Sequence, residues 1–373
     1  MREFINGAEA IARGALDAGC TFFAGYPITP ATPILLHMVN ELPKVGGVAI
    51  QAEDEIAAMG FCIGAAMAGA RVMTATSGPG ISLYSENIGL AIMGEVPMVI
   101  VDCQRMGPAT GGATTVAQGD IQFLRWGTSG GFPVTVLCPA NVPDCYSLTL
   151  RGFDLAERFR VPVFIATDKE MVSTNITVRT DAFESLPVRP RETAPEAGEF
   201  IPYRIEKTDQ VAPVSPFGGP HLVRFTASSH DQQGYLTKNP RAVGSLNEHL
   251  SAKIEAHLDE ISQVRADLQE GADTLLVSYG ISAQGMEAAA ETARGKGIKV
   301  STLTVLTLWP VPEASIRKAL EGIRRVVVAE LNSGQYRREI ERLKQDHQEV
   351  IGVNRLDGEL IAPEEILGKG RLL

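Results

Sequence analysis

Three neighbouring acids stand where an apolar helix is predicted to begin. Glu53, Asp54 and Glu55 are followed by a run made almost entirely of Ala, Gly, Ile and Met. A carboxylate placed there can hold or transfer a proton next to a bound group. The helix macrodipole also favours acids in a first turn, so the same residues are consistent with ordinary helix capping. The residues alone leave both the role and the choice among the three acids open.

A glycine-rich turn follows the same helix. The predicted strand at residues 71–76 is broken by Ser77-Gly78-Pro79-Gly80, and a helical pattern runs over 81–95. The turn lacks the Gly-Lys-Ser/Thr of a P-loop and the GxGxxG of a dinucleotide fold, so phosphate binding is not indicated and a plain strand-to-helix turn stays open. Gly60 and Gly64 recur four residues apart on the preceding helix, a spacing that lets another backbone or a flat ligand approach closely.

Two further loops carry residues that could contact a ligand. Gly25-Tyr26-Pro27-Ile28-Thr29-Pro30 follows a predicted strand and is stiffened by two prolines, and ligand-contacting groups lie in such loops of α/β sheets. Thr29 could equally cap the next helix. Arg105 follows the apolar strand at 96–102 and precedes a Gly- and Thr-rich segment. A guanidinium binds a carboxylate bidentately, although a surface ion pair is the commoner role of an Arg after a strand.

These loops need a sheet to position them, and strands and helices alternate along the chain. Near-continuous apolar strands in this alternation predict a doubly wound, mostly parallel sheet, and a second α/β unit begins at Asp273. Residues 180–220 are proline-rich and predict a connecting segment. We expect a strand at 222–227 and a charged helix at 245–268 with Lys253 on its solvent side.

Composition narrows the class of protein. The 373 residues carry 34 basic and 44 acidic side chains, a net charge of −10, which argues against general binding to nucleic acid or to anionic membranes. No CxxC occurs among five scattered cysteines in mostly apolar contexts, so we expect no iron–sulfur cluster or structural zinc held by this chain alone. The N-terminus lacks a signal-like core and no apolar run reaches 18 residues, which predicts a cytoplasmic protein.

Four sequence blocks carry a family resemblance: GYPITPATP from Gly25, QAEDE from Gln51, TATSGPG from Thr74 and QRMGPATGGAT from Gln104. Together they resemble the alpha subunit of 2-oxoacid:ferredoxin oxidoreductases, most closely the 2-oxoglutarate type. The resemblance extends through Ser229-His230-Asp231 and the segment 330–335. It implies a thiamine pyrimidine-binding, doubly wound domain at 1–180, a linker with a long helix at 181–271, and a smaller transketolase C-terminal-like α/β domain at 272–373.

The resemblance also implies roles for individual residues. Glu55 would be the catalytic carboxylate, which stabilises the imino tautomer of the thiamine aminopyrimidine, while Glu53 and Asp54 remain alternatives. Pro27 and Ile28 would contact the cofactor together with Glu55. The residues that it places against the substrate are Thr29, Arg105, Thr110 and Thr114, with Arg105 as the carboxylate partner. An acid at a subunit contact is the alternative partner for Arg105.

The implied enzyme is larger than this chain. The family has a beta subunit that carries the diphosphate and Mg²⁺ site and an iron–sulfur cluster, and gamma and delta subunits are compatible with it. Thiamine diphosphate is shared between subunits, coenzyme A is the co-substrate, and ferredoxin or a similar carrier accepts the electrons. This chain is consistent with a diphosphate site and an iron–sulfur cluster on the beta subunit, since it has neither the Gly-Asp-Gly...Asn diphosphate pattern nor clustered cysteines. No metal site is expected in it.

The substrate loop departs from the family pattern. Where relatives commonly read Gly-Pro-Ser-Thr-Gly-Met-Pro-Thr-Arg, this chain reads GPATGGATT at residues 107–115, which lacks a hydroxyl, a proline and a basic residue. The family resemblance favours oxidative decarboxylation of 2-oxoglutarate to an acyl-CoA. Because the second carboxylate of 2-oxoglutarate needs a cationic partner and this loop is less positive, pyruvate, branched or aromatic 2-oxoacids stay open. Two other classes are alternatives: a non-catalytic assembly subunit that retains the fold, and a self-sufficient thiamine decarboxylase or transketolase-like enzyme, which the missing diphosphate pattern disfavours.

Overall fold

A computed structural model describes residues 2–372. Its strands are β1 Arg2–Ile5, β2 Phe22–Gly25, β3 Val48–Gln51, β4 Val72–Thr76, β5 Met98–Gln104, β6 Thr135–Leu137, β7 Pro162–Asp168, β8 Ile176–Arg179, β9 Val264–Asp267, β10 Thr274–Ser278, β11 Ser301–Val305, β12 Thr307–Trp309, β13 Arg325–Glu330 and β14 Glu349–Asn354. Its α-helices are α1 Gly7–Asp17, α2 Thr32–Glu41, α3 Glu55–Met67, α4 Gly78–Leu83, α5 Ser85–Met93, α6 Ile121–Trp126, α7 Val142–Phe159, α8 Lys169–Ser173, α9 Pro240–Glu255, α10 Leu258–Ile261, α11 Ser282–Gly295, α12 Glu313–Ala319, α13 Arg337–Leu343 and α14 Pro363–Lys369.

The first sheet has seven strands in the order β12-β6-β7-β5-β4-β2-β3. Its strands run parallel except β12, which is antiparallel to β6. Strands β4, β5 and β7 are buried along their whole length, as expected for strands covered by helices on both faces. Helices α1, α2, α7 and α8 pack on one face, and α3, α5 and α6 pack on the other. The predicted doubly wound, mainly parallel sheet is confirmed.

The second sheet has five strands in the order β14-β13-β10-β11-β9, with β9 as an antiparallel edge. Helices α11 and α14 share a core on one of its faces. Strand β12 leaves this second unit and completes the first sheet beside β6, where Thr307 pairs with Leu137 and Trp309 with Val136. The two units are therefore joined by main-chain pairing as well as by side-chain packing.

Gln118 is a buried junction between the two units. Its amide N donates to Leu331 O at 2.9 Å, and its side-chain Oε1 accepts from Ser282 Oγ at 2.8 Å. Asn332 Nδ2 donates to the Gln118 carbonyl oxygen at 2.7 Å, and Gln118 Nε2 donates to Tyr279 O at 3.1 Å. The loops of the second unit thereby fix the segment of the first unit that leads into α6.

Four buried side chains, which we call the Glu95 cluster, anchor helix α9: Glu95, Arg160, His249 and Lys253. Glu95 Oε2 accepts from Lys253 Nζ at 2.9 Å and from His249 Nε2 at 3.0 Å. Arg160 Nε donates to Glu95 O at 3.3 Å. Burial opposes ionisation of Glu95, but Lys253 and Arg160 outweigh it and hold the pKa of that carboxyl well below its ordinary value.

Three expectations for secondary structure and exposure are wrong. Residues 222–227 form no strand, and Leu222 is largely exposed because no strand edge lies beside this segment. Residues 245–268 do not form one helix: α9 ends at Glu255, and β9 pairs with β11, so long-range pairing overrides local helix propensity. Lys253, expected to face solvent, is buried against Glu95.

Within residues 2–372, no helix is both long and apolar enough to cross a membrane. The cysteines are buried free thiols, as their apolar sequence contexts predicted. Burial raises the pKa of Cys20 and of Cys62 to about 12, so these thiols stay protonated near neutral pH. The described residues contain no group of three or more His, Cys, Asp or Glu side chains arranged to hold a metal ion.

Candidate cofactor and substrate site

The three neighbouring acids have different environments. Asp54 is the N-cap of α3, and its side chain accepts from Ala57 N at 2.7 Å. Glu53 is exposed, whereas Glu55, the first residue of the helix, is buried with 7% exposure. Because Asp54 already satisfies a free amide of the first turn, Glu55 is not needed as a cap. Glu55 is the acid of the three that is directed into the fold.

The Ser77–Gly80 turn lies against Glu55. Strand β4 ends at Thr76 and α4 begins at Gly78, so the segment is a strand-to-helix turn. A Cβ added to Gly80 would lie 2.9 Å from Glu55 Oε1 and would overlap Thr76 Oγ1. Glycine is therefore required here for the close approach of the turn to the carboxyl group. Gly60 and Gly64 differ, since a Cβ at either position would meet no atom within 4 Å.

The loop after β2 presents Thr29 at the surface. Pro27 and Ile28 are half-buried, and Thr29 is exposed. The N-cap of α2 is Ala31, and this helix start has no side-chain capping bond, so the capping role considered for Thr29 is wrong. The carbonyl oxygen of Thr29 accepts a hydrogen bond from Arg105 Nη1 at 2.5 Å. The loop is thereby tied to the end of β5.

Arg105 is buried, with 6% exposure, directly after β5. Its two hydrogen bonds go to main-chain carbonyls, at Thr29 O and, at 3.2 Å from Nη2, at Thr110 O. Its Nε has no partner among residues 2–372. The surface ion pair considered for this residue is therefore wrong. A buried guanidinium without an acid in contact is a strong binder of an incoming carboxylate.

The segment 107–115 is a closed turn. Gly112 N donates to Met106 O and Met106 N donates to Thr115 O, both at 2.9 Å. Gly111 has a φ of 45°, and a Cβ there would overlap Met106 O, so only glycine fits. Thr110 and Thr114 are exposed on this turn. Since Arg105 bonds to the carbonyls of both Thr29 and Thr110, the structure brings these three predicted residues together.

Two acids that sequence reasoning missed lie behind this site. Asp102, on β5, is fully buried and pairs in register with Thr76 on β4. Asp120 precedes α6, and its amide N donates to Gln104 Oε1 at 3.1 Å. Three of the four carboxyl oxygens of these two acids are buried and have no hydrogen-bond partner among residues 2–372. An available signal was the single acid that ends the otherwise apolar strand VPMVIVD.

The protonation of the two acids follows from their burial. Burial and the neighbouring Asp120 raise the pKa of Asp102 well above its ordinary value. Burial raises the pKa of Asp120 to about 6, against the lowering effect of Arg105. Burial therefore favours the protonated, uncharged form of each of the two carboxyls.

Polar atoms without partners concentrate at this site. Among residues 2–372, seven of the twelve buried side-chain nitrogen and oxygen atoms without a hydrogen-bond partner belong to six neighbouring side chains, namely Thr76, Ser77, Asp102, Gln104, Arg105 and Asp120. Buried polar groups are normally satisfied, so such a concentration indicates a place where another molecule completes the bonding. Together with the buried Glu55, this fits the polar aminopyrimidine end of thiamine diphosphate.

Two protein-family models match the chain. The family described as "Pyruvate flavodoxin/ferredoxin oxidoreductase, thiamine diP-bdg" matches residues 13–243. The family described as "Pyruvate:ferredoxin oxidoreductase core domain II" matches residues 272–366. The two matches together cover the seven-stranded sheet and all of the five-stranded sheet except its edge strand β9.

Individual relatives match over nearly the whole chain. The "2-oxoglutarate synthase subunit KorA" of Methanothermobacter marburgensis is 41% identical over 98% of this chain and 97% of its own length. The "Ketoisovalerate oxidoreductase subunit VorB" of Methanothermobacter thermautotrophicus is 34% identical over 99% of this chain and 97% of its own. A structure of 2-oxoglutarate:ferredoxin oxidoreductase from Magnetococcus marinus with 2-oxoglutarate, coenzyme A and succinyl-CoA bound is 30% identical, with a TM-score of 0.93, over 99% of this chain and 65% of that chain.

Proposed function

Because this chain belongs to the pyruvate flavodoxin/ferredoxin oxidoreductase family, we propose that it is the alpha subunit of a 2-oxoacid:ferredoxin oxidoreductase. The enzyme oxidatively decarboxylates a 2-oxoacid and transfers the acyl group to coenzyme A. One observation carries this proposal: the buried carboxyl of Glu55 lies against Gly80, and the buried guanidinium of Arg105, without an acid in contact, lies behind the same edge of the sheet.

Glu55 and the turn beside it would hold the pyrimidine end of the cofactor. When bound, thiamine diphosphate would supply a nucleophilic carbon that attacks the 2-oxo carbon and a thiazolium ring that takes up the electron pair released by decarboxylation. The Glu55 carboxyl would exchange a proton with a nitrogen of the cofactor's ring, and its burial keeps competing water away. Gly80 permits the close approach, and the half-buried Pro27 and Ile28 line the neighbouring loop.

Arg105 would hold the substrate. Its free N–H groups bind the 2-oxoacid carboxylate, while its bonds to Thr29 O and Thr110 O fix the plane of the guanidinium. Thr29, Thr110 and Thr114 offer exposed hydroxyls on the two loops that Arg105 joins. Fixing the carboxylate orients the 2-oxo carbon for reaction, which is where positioning accelerates a bimolecular step.

A beta subunit would complete the site, and the exposed face of α3 supports this. Ile56 and Phe61 are about half exposed on this helix, and Gly60 and Gly64 lie beside them with open space above. An apolar face next to a half-built cofactor site is typical of a protein interface. We place the diphosphate, Mg²⁺ and an iron–sulfur cluster on the beta subunit, with ferredoxin or a similar carrier as the acceptor.

The proposal also includes the domain boundaries, the compartment and further subunits. The chain divides into a pyrimidine-binding domain at 1–180, a connecting segment at 181–271 and a C-terminal domain at 272–373. The assembled enzyme works in the cytoplasm, where coenzyme A and the electron carrier are its co-reactants. Gamma and delta subunits are compatible additions.

The favoured substrate is 2-oxoglutarate, as in the name of the relative with 41% identity. A branched 2-oxoacid is the second candidate. It is supported by the ketoisovalerate relative and by residues 107–115, which carry no basic side chain to pair with a second carboxylate.

Activity of the assembled enzyme tests this proposal. The chain is coexpressed with its beta subunit and supplied with thiamine diphosphate, Mg²⁺ and coenzyme A. Reduction of a viologen acceptor is then followed with 2-oxoglutarate, pyruvate, 2-oxoisovalerate and phenylpyruvate. We expect the highest kcat/KM with 2-oxoglutarate. A complex that holds its cofactors but turns over none of the four acids would make the chain a non-catalytic assembly subunit instead.

A further inference from the structure

The substrate loop at 107–115 is closed at its base by two residues. Met106 N donates a hydrogen bond to Thr115 O at 2.9 Å. Arg105, directly before the loop, donates from Nη2 to Thr110 O within it at 3.2 Å. The orientation of the guanidinium therefore depends on the shape of the loop, and that shape depends on how Met106 and Thr115 are held.

The second unit lies directly against this base. Gly358 belongs to the turn at 355–360 between β14 and α14, which we call the Gly358 turn. A Cβ added to Gly358 would lie 1.9 Å from Thr115 Cγ2, well inside van der Waals contact, and 3.8 Å from Met106 Sδ. Gly358 also has a φ of 83°, which favours glycine. The methyl group of Thr115 thus occupies the space that a side chain at position 358 would need.

The Gly358 turn is held in a fixed shape by Arg355. This guanidinium donates to both carboxylate oxygens of Asp357, at 3.0 Å from Nε and 2.7 Å from Nη2. Its Nη1 donates to Glu365 Oε1, on α14, at 2.6 Å. A planar guanidinium that makes these three bonds ties the turn to the helix that follows it. Gly358 is therefore presented to the substrate loop by a braced turn.

The chain that leaves the substrate loop is held by the same unit. Val116 belongs to the buried apolar core of the second unit. Two residues later, Gln118 N donates to Leu331 O at 2.9 Å, and Asn332 Nδ2 donates to Gln118 O at 2.7 Å. Arg105, at the other end of the loop, directly follows β5 of the first sheet. The substrate loop therefore has one end fixed by each unit.

We propose that Gly358 is a positioning residue of the substrate site, through which the second unit fixes the substrate loop and, with it, the guanidinium of Arg105. The proposal rests on the proposed function, because it extends the same substrate site to the second unit. Gly358 acts through Thr115 and does not itself contact the 2-oxoacid. A side chain at this position would displace the base of the loop and move Thr110 O, the acceptor that orients Arg105.

Gly358→Ala in the assembled alpha–beta enzyme tests this. The added Cβ must displace Thr115, so KM for the 2-oxoacid should rise by roughly 5- to 20-fold. The kcat should change less than KM, because Arg105 binds the carboxylate in the substrate and in the transition state alike. The affinity for thiamine diphosphate should be spared, since Glu55 contacts a different turn, at Gly80.

Two further variants separate the contact from backbone strain. Gly322 has a φ of 73° in the same unit, and a Cβ added there would meet no atom within 4 Å. Gly322→Ala is therefore the matched control, and its KM should equal that of the wild type. Thr115→Ser removes the Cγ2 methyl group that the new Cβ would overlap. Adding Thr115→Ser to Gly358→Ala should return KM to within roughly twofold of the Thr115→Ser variant.

Hydrogen exchange provides a readout that does not depend on turnover. If the Gly358 turn holds the base of the loop, amides in peptides that span 106–118 should exchange faster in Gly358→Ala. The same peptides should exchange at the wild-type rate in Gly322→Ala. Mass spectrometry of the assembled enzyme measures both.

The outcomes are distinct. An unchanged KM in Gly358→Ala, an equal rise in Gly322→Ala, or a rise that Thr115→Ser does not reverse would overturn the proposal. If Gly358→Ala does not fold, Arg355→Gln decides, since it releases the turn without adding a side chain at 358; KM should rise by roughly two- to fivefold, and an unchanged KM overturns the assignment. Lack of turnover in the wild-type complex would instead remove the proposed function, and unchanged exchange in Gly358→Ala would separately overturn the support of the loop.

Discussion

The Glu95 cluster and the Asp102–Asp120 pair are both buried sets of ionisable groups, yet they are built in opposite ways. In the Glu95 cluster, one carboxylate accepts from Lys253 and His249, and burial is outweighed by the cations around it. In the pair, two buried acids have no cation in contact, and three of their four carboxyl oxygens lack a hydrogen-bond partner among residues 2–372. Buried polar groups that are satisfied hold a fold together, whereas unsatisfied ones mark where a protein meets its ligand.

The largest effect is expected on turnover, from a substitution of Glu55 in the candidate cofactor site. Glu55→Gln keeps the shape of the side chain but removes the carboxylate that is proposed to exchange a proton with the cofactor, so turnover of the assembled enzyme should fall by roughly 100- to 10,000-fold with little change in folding. Glu53→Gln is the matched control, because Glu53 is exposed. Steady-state kinetics on both variants test the assignment, and a ranking in the other order would refute the choice of Glu55.

Glu95→Gln should instead damage the fold. The amide cannot neutralise Lys253 and Arg160, and leaving such buried cations unpaired costs about 3–5 kcal/mol. Chemical denaturation of the full chain measures this, with Glu248→Gln, at an exposed position of α9, as the control. Because the pKa of Glu95 is lowered, its stabilisation is present above the ordinary value of 4.5 and is lost as the pH falls through the lowered value. If Glu95→Gln left the stability of the chain unchanged, the contrast between the Glu95 cluster and the Asp102–Asp120 pair would be lost.

Arg105→Lys separates substrate binding from assembly. Lys keeps the charge but loses the planar fork, so KM for the 2-oxoacid should rise by roughly 10- to 50-fold while affinity for thiamine diphosphate is spared. The alternative is that Arg105 pairs with an acid of the beta subunit. Titration of the variant with beta subunit distinguishes the two, since weaker assembly with an unchanged KM would remove Arg105 from the substrate site.

Asp120→Asn should stabilise the full chain, opposite in sign to Glu95→Gln. The pKa of Asp120 is raised from 3.8 to about 6, so the wild type loses stability as the pH rises between these values. Asn has no carboxyl group to ionise, so the stability of the variant does not fall in this pH range. The variant should therefore be more stable than the wild type by about 1–2 kcal/mol at pH 8 but not at pH 4. Thermal melts at the two pH values measure the difference, and equal destabilisation at both would mean that the pair is an ordinary structural contact.

The smallest effect is expected on stability and assembly, from replacing Gly60, which has open space where a Cβ would lie, as compared with the tightly packed Gly80. Gly60→Ala adds a methyl group into open space, so the isolated chain should gain up to about 1 kcal/mol of helix stability. If the beta subunit packs on α3, the same change should weaken assembly. Gly80→Ala is the contrasting control, since its Cβ would overlap Thr76. Melting of the chain and titration with beta subunit give both readouts, and unaltered assembly by Gly60→Ala would place the interface elsewhere.

Local sequence signals predicted much of the fold. The buried strands β4, β5 and β7 are near-continuous apolar runs, and α3 starts within the acidic trio where the pattern changes. Arg105 was expected after a buried strand and lies there. These features depend on neighbours in the chain, which is the range over which periodicity and turn chemistry carry information.

The features that were missed depend on distant residues. Asp102 and Asp120 are eighteen positions apart and meet only once β5 and α6 are packed, so no spacing rule indicates them. The sequence pattern places Lys253 on the solvent side of its helix. In the structure it is buried because it donates to Glu95, which is far away in the chain. Strand β9 lies in a segment of helical character and exists because the edge of β11 is available to it.

The strand exchange between the two units has a consequence for synthesis. Strand β12 spans Thr307–Trp309, whereas its partner β6 ends at Leu137. A ribosome must therefore add the intervening residues before the first sheet can close, and during that interval β6 has an uncovered edge open to pairing with another nascent chain. The first sheet of this molecule is therefore completed late in synthesis, when β12 of the C-terminal unit pairs with β6.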